Sequence, residues 1–369
     1  MKTHYLLLIC GILISVVCAF IAYIEFIASE FTPKTSKNLE GIDDRIQNVL
    51  YYASLAPSSH NAQMWKVRIN PSINAIYITL DDSRTLKVID KENRESYISI
   101  GCYVKALEMA FKAFNYKTIT NIQEDSKQVL VTFSKENTGD INHDILDSLT
   151  KRHSDKQIFS DRMLDKDLVT KLSAVSDNAI LLQKSDKSYN DLKPLIKDAV
   201  KRQAYDKMAV AELASYMRFS DDESKEKQDG LDAEQLGLRG LKKFFYYLFV
   251  NSSTVLTETF SKQTVSIINK QIDSAQAFVL LESYGDDFKS KVIQGMKLME
   301  LWMFLTDNNV EVHPISAPVE YKDSINRINK ILNKHTDTDM ILRVGYAEKY
   351  LQNHRLRRDL DKYIEVVKD

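Results

Sequence analysis

The sequence predicts an α+β chain built from two related halves behind an apolar N-terminal helix. Three observations point there. Short β-type runs, such as residues 76–80 and 340–344, alternate with longer runs of helical period. Two apolar helical segments match each other at one constant offset. The first 30 residues contain a long uncharged run.

Length and composition narrow the function. A chain of 369 residues suggests two domains, or one domain built twice. A hydrophobic content of 44% supports a real core and excludes wholesale disorder. A formal net charge of -1 with mixed signs gives no electrostatic case for nucleic acid. Of three cysteines, Cys10 and Cys18 lie in the leader, leaving Cys102 alone in the body. One thiol builds neither a disulfide framework nor a Cys-rich zinc site. The seven histidines are scattered, with no His-Glu-x-x-His, Walker A, Gly-x-Ser-x-Gly or Gly-x-Gly-x-x-Gly pattern, and no metal is expected.

Residues 5–24 carry no charge, and about 20 such residues span a bilayer as a helix. Lys2 precedes this run while Glu25 and Glu30 follow it, which favours a single-pass anchor with the body on the outer, extracytoplasmic side. A cleaved signal peptide is the rival reading, with Val17-Cys18-Ala19 as the cut site. The leader is taken as residues 1–29 and a polar tether as 30–40.

In the body, an apolar helix covers about 42–55, and strands at 65–69 and 76–80 flank an Asn70-Pro71-Ser72 turn. A strongly apolar helix follows at 97–114, then a strand at 129–133 and short helices at 145–149 and 164–175. One long helix is expected over 190–217, and a polar loop or flap over 219–230. A strand at 275–281, a helix at 291–305, a strand at 340–344 and a terminal helix at 359–367 close the chain.

The repeat aligns Gly101 with Gly295, Val104 with Leu298, Leu107 with Leu301, Met109 with Met303, Phe111 with Leu305 and Asn115 with Asn309. In each copy Gly is expected to open an apolar helix and Asn to end it, since Asn tolerates the left-handed position there. The halves are residues 41–150 and 151–369, the second with a lid-like insertion at about 218–240. Two such halves pack as an intramolecular pseudo-dimer, with any ligand between them.

The chemistry concentrates in Ala56-Pro-Ser-Ser-His-Asn-Ala-Gln-Met-Trp65. Pro57 cannot continue a helix ladder. Ser58, Ser59, Asn61 and Gln63 offer short, directed groups suited to the heteroatom edge of a planar ligand. His60 reads as a substrate contact or a structural hydrogen bond. Trp65, Trp302 and Cys102 read as core.

This segment resembles the signature turn of the flavin nitroreductase superfamily. The two-halved plan resembles its Acg-type branch. Other segments are similar in order: Arg94-Glu95 before Ile98-Ser-Ile-Gly101, Lys151-Arg-His-Ser-Asp-Lys156, Asp229-Gly230, Ile341-Leu-Arg-Val-Gly-Tyr346 and Arg355-Leu-Arg-Arg-Asp-Leu360. Together they cover roughly residues 42–368. Two departures stand out: Met64 replaces the family proline, and Lys156 replaces an arginine of the branch.

The resemblance implies non-covalent FMN, with NADPH or NADH as electron donor and a small-molecule acceptor. It implies a cofactor site made of Pro57, Ser58, Ser59, Asn61 and Gln63 from the turn and Arg152, His153, Ser154 and Lys156 from the basic segment. Ser316 and Ala317 would run along the flavin face, and Arg355, Arg357 and Arg358 would reach the phosphate. No catalytic side chain is required, because the flavin carries the redox step. The implied activity is that of a membrane-anchored FMN oxidoreductase, working as a monomer that acts as a pseudo-dimer. The alternative is an FMN-sequestering protein whose lid covers the flavin. On either reading Ser58 and Arg152 should line one cavity.

Overall fold

The computed structural model describes residues 2–28, 31–136, 139–350 and 354–367. Helix α1 (Lys2–Ala28) leads the chain. Among the described residues no helix is long and apolar enough to cross a membrane, so the expected spanning anchor finds no support there. The expected polar tether is fastened to the body. Thr35 Oγ1 donates to the Arg357 carbonyl at 3.1 Å, and the Ser36 N–H donates to Asp359 at 2.5 Å.

Helix α2 (Asp44–Ser54) starts on Asp43, whose carboxylate accepts the Arg45 N–H, and buries Ile46, Val49, Leu50 and Ala53. Strands β1 (Trp65–Asn70) and β2 (Ala75–Leu80) form the expected antiparallel pair. Helix α3 (Arg94–Ala113) precedes β3 (Tyr116–Gln123) and β4 (Gln128–Lys135). Helices α4 (His143–Lys151) and α5 (Lys166–Val175) lead to β5 (Ala179–Gln183).

The long helix expected over 190–217 is two helices, α6 (Lys187–Tyr205) and α7 (Lys207–Tyr216). Asp206 breaks them: its backbone is extended, and its carboxylate caps the N–H groups of Met208 and Ala209. The expected flap contains α8 (Asp221–Lys227), capped by Ser220. Helices α9 (Leu241–Phe249), α10 (Ser252–Val255) and α11 (Glu258–Asp273) follow, then β6 (Ala277–Glu282). Helix α12 (Phe288–Asp307), β7 (Glu311–Pro314), α13 (Lys322–Leu332) and β8 (Thr338–Gly345) come next.

The expected terminal helix at 359–367 is wrong. It is a single 3-10 turn followed by β9 (Ile364–Val366), which pairs parallel with β1. The free edge of β1 supplies ladder partners, and that pairing overrides helical pattern.

Two sheets result. One has strand order β3-β4-β2-β1-β9, the other β5-β6-β8-β7. Every β8 residue is buried, as a central strand covered on both faces requires. Helices α3 and α12 pack along each other and share one core with both sheets, in which Trp65 and Trp302 lie fully buried. Cys102 is also in this core, where burial pushes its thiol up to about 12. Asn115 and Asn309 both adopt the left-handed conformation just beyond these two helices, but Gly101 and Gly295 lie inside the helices rather than opening them, where the two backbones approach too closely for a side chain. The segment between α7 and α10 has a small core of its own around Met217, Ala233, Tyr246 and Val255.

Candidate functional site

The turn after α2 is tight. His60, Asn61 and Gln63 all have φ near +50°. Asn accepts that region readily; His and Gln do so at a cost of about 1–3 kcal/mol each. Surrounding bonds enforce it. Ser58 Oγ accepts the Gln63 N–H at 2.9 Å. Asn61 Nδ2 donates to the carbonyls of Gly230 (3.1 Å) and Leu356 (3.2 Å). Gln63 Nε2 donates to the Gln228 carbonyl at 2.9 Å. Ser59 Oγ donates to Glu95. Pro57 is partly buried at the entry to the turn.

Three arginines converge on it. Arg357 is 7% exposed and commits its whole guanidinium: Nε to Ser54 O, Nη1 to Asn61 Oδ1 and Leu356 O, Nη2 to Leu55 O and Ala56 O. Arg358 holds the Gln63 and Trp65 carbonyls, and its Nε is buried without a hydrogen-bond partner. Arg152 Nη2 donates to Leu55 O at 2.9 Å while its guanidinium lies 4.7 Å over the Trp302 ring. Arg152 therefore meets the residue that ends α2, close to Pro57 and Ser58. Arg355 stands apart from this clamp, partly buried near Tyr52.

Lys156 and the segment 205–240 complete the surroundings. No described residue gives the Lys156 ammonium a hydrogen bond or ion pair, and burial pushes its pKa down to about 8, with Asp232 partly opposing. A β-carbon on Gly237 would lie 3.7 Å from Lys156 Cβ, so the insertion passes directly over this lysine. It also seats on the turn. The Gly230 N–H donates to Asn61 O at 3.2 Å, and the His60 ring stacks on Tyr216 with centroids 5.8 Å apart. Asp229 pairs with Arg84 and Arg218. His60 Nδ1 is buried with no hydrogen-bond partner, and burial lowers the pKa of this imidazole.

Ser154 is exposed and bridges to Val312 beside the second sheet. His153 Nε2 stands 3.8 Å from Asp155 and 3.6 Å from Glu311, whose carboxyl is pushed up to about 7 by burial. Ser316 and Ala317 lie on a 3-10 turn after β7. Ser316 Oγ donates to Glu320 at 2.8 Å. Burial, then the Glu95 charge, push the Glu320 carboxyl up to about 8. Glu95 thus links Ser59 of the turn to the Ser316 segment.

Glu320, Tyr216, Gln228 and Asp232 escape sequence reasoning. Each sits far in sequence from the turn or the basic segment and carries no motif of its own. The polar, turn-rich run over 219–230 and its closing Asp229-Gly230 are the legible signals for the insertion.

The fold is α+β, as the sequence predicts. Over 296 residues, 76% of this chain and 82% of the relative, the sequence is 23% identical to the probable NAD(P)H nitroreductase PigM of Serratia sp.. Solved structures similar to it include the FMN and NADPH-dependent nitroreductase NfnB from Sphigopyxis sp. strain HMH, with TM-score 0.37, 15% identity, and 60% of this chain and 98% of that chain covered. The FMN-dependent nitroreductase NfnB from Mycobacterium smegmatis, in complex with NADPH, gives TM-score 0.38, 10% identity and coverage of 58% and 94%. No known protein-family model matches the chain.

Proposed function

We propose that the chain is an FMN-binding oxidoreductase of nitroreductase type, taking electrons from NADPH or NADH and passing them to a small-molecule acceptor. The observation that carries this reading is convergence. The serine-amide turn, the Lys151–Lys156 segment and the basic tail meet around Leu55 and His60, although almost 300 positions separate the outer two.

The residues fit a flavin nucleotide. Among the described residues Lys156 makes no hydrogen bond or ion pair through its ammonium and Ser154 offers an exposed hydroxyl, both suited to a phosphate. His60 Nδ1 and Arg358 Nε are buried polar atoms awaiting partners. Arg357 serves the scaffold instead. Its five donors fix the backbone of the turn, so it positions Asn61 and leaves the phosphate to other groups. FMN when bound supplies two-electron transfer. The chain would bind and orient the nucleotide and keep water from it, with the Lys156 charge held for the phosphate.

A second reading has its own support. The insertion is tied to the turn by bonds from Asn61 and Gln63 and by the His60–Tyr216 stack. A lid so held favours a flavin-sequestering protein with slow turnover. The helix pair α3–α12, meeting at matched residues, supports the pseudo-dimer plan of the Acg-type branch. We place the body on the outer side of a membrane, with α1 as tether; the charge order around residues 5–24 supports that orientation.

Anaerobic addition of NADPH to the FMN-loaded protein tests the reading. Bleaching of the flavin bands within seconds supports the oxidoreductase. A yellow protein that stays oxidised supports sequestration, and failure to take up FMN rejects both.

A further inference from the structure

We propose that α9 is a lipid-docking helix, its Leu241, Phe245, Leu248 and Phe249 face lying in the headgroup region of a bilayer beside α1. These side chains fall at i, i+4, i+7 and i+8, the spacing of one helical face. Leu241 is 57% exposed, Phe245 50%, Leu248 58% and Phe249 64%. Isolated exposed apolar residues need no explanation, but a contiguous stripe of this size does.

The helix cannot turn the stripe inward. Its other face holds Tyr246 in the insertion's core and the Lys243 ammonium, fully buried between Asp221 (2.8 Å) and Glu234 (2.6 Å). Rotation would pull a paired ammonium from its carboxylates. The stripe is also ordered: the Phe245 and Phe249 rings stack 6.1 Å apart at 9°.

Two observations choose lipid as the occupant. Helix α1 packs on α9, and its Ile12, Leu13, Ile14 and Phe20 are themselves 57–64% exposed, so the apolar surface runs from one helix to the other. Residues 239–257 hold Arg239, Lys242 and Lys243 and no carboxylate. Aromatic and leucine side chains beside an exposed lysine match the boundary between acyl chains and anionic headgroups. A helix lying along a surface needs no bilayer-spanning length. The proposal is independent of the flavin reading.

The test uses the full chain carrying Phe245→Trp, mixed with phosphatidylcholine–phosphatidylglycerol vesicles, plain or brominated in the acyl chains. Trp65 and Trp302 are fully buried and give a constant background. The expected result is a blue-shifted added emission that loses most of its intensity with brominated lipid. Ile119→Trp, on the exposed face of β3, should keep its intensity. Leu248→Trp gives the same readout should Phe245→Trp fail to fold. Equal intensity in both lipids, quenching no greater than for Ile119→Trp, or failure to float with vesicles each overturns the proposal. A blue shift that grows with protein concentration without lipid also overturns it, assigning the face to a second copy.

Discussion

The α-carbons of Gly101 and Gly295 face each other where α3 crosses α12. A β-carbon on either would lie 2.8 Å from the other's α-carbon. It would also strike backbone, Val292 O at 2.0 Å from Gly101 and Ile98 O at 1.9 Å from Gly295. Gly101 and Gly295, one of the pairs the repeat aligns, thus mark the point of closest approach of the two helices.

Gly101→Ala should therefore lower stability by about 3 kcal/mol, because two helix backbones must separate inside a packed core. Gly11→Ala, at an exposed position of α1 where an added β-carbon meets nothing within 4 Å, should not destabilise the chain. Urea unfolding of both variants measures the difference, and a near-neutral Gly101→Ala would refute close approach.

Arg357→Lys should cost about 3 kcal/mol. It keeps a charge but strands the buried carbonyls of Ser54 and Ala56, while Leu55 O keeps its bond from Arg152. Denaturation midpoints report the loss. Unchanged stability with weaker FMN binding would move Arg357 from the scaffold to the phosphate.

Lys156→Ala should weaken FMN binding about 10–100-fold, the worth of a charged hydrogen bond, and leave the fold intact. With its pKa near 8, the wild-type amine loses charge as pH rises through 8, and affinity should fall there. Without ligand the sign reverses. A lysine pKa depressed on folding means the unfolded chain holds more protons above pH 8, so that stability rises with pH in that window. Fluorescence titration and thermal melts from pH 7 to about pH 10 separate the two trends, and both should vanish in Lys156→Ala.

Glu320 behaves oppositely. Its raised pKa, about 8 against an ordinary 4.5, makes the folded state the better proton binder. Its contribution is complete below pH 4.5 and is lost as pH climbs to 8. Glu320→Gln should flatten the melting temperature across that range, and a variant with the wild-type slope would assign the decline elsewhere.

Gly230→Ala should loosen the insertion. Gly230 has φ +75°, and a β-carbon there would meet Tyr216 O at 2.3 Å. The variant should show faster amide exchange across 218–240 and faster flavin reduction by NADPH. Faster exchange with unchanged reduction would show that the insertion does not gate the nicotinamide.

The chemistry of the turn, of the basic segment and of the two helix-ending asparagines could be read directly, because each depends on residues near one another in sequence. Glycine's missing side chain and asparagine's tolerance of positive φ are local properties, and Asn115 and Asn309 end their helices as their chemistry dictates. The break at Asp206 is equally local but hidden, since a cap competes with the helical period that surrounds it. Tertiary structure alone decided the rest. Residues 364–366 became a strand because β1 offered an open edge. Arg357 became a backbone clamp because folding buried it against carbonyls some 300 positions away. The sequence determined which local conformations and chemistries this protein has; only packing decided which buried donors met which acceptors, because desolvation makes such pairing obligatory and the partners are remote in the chain.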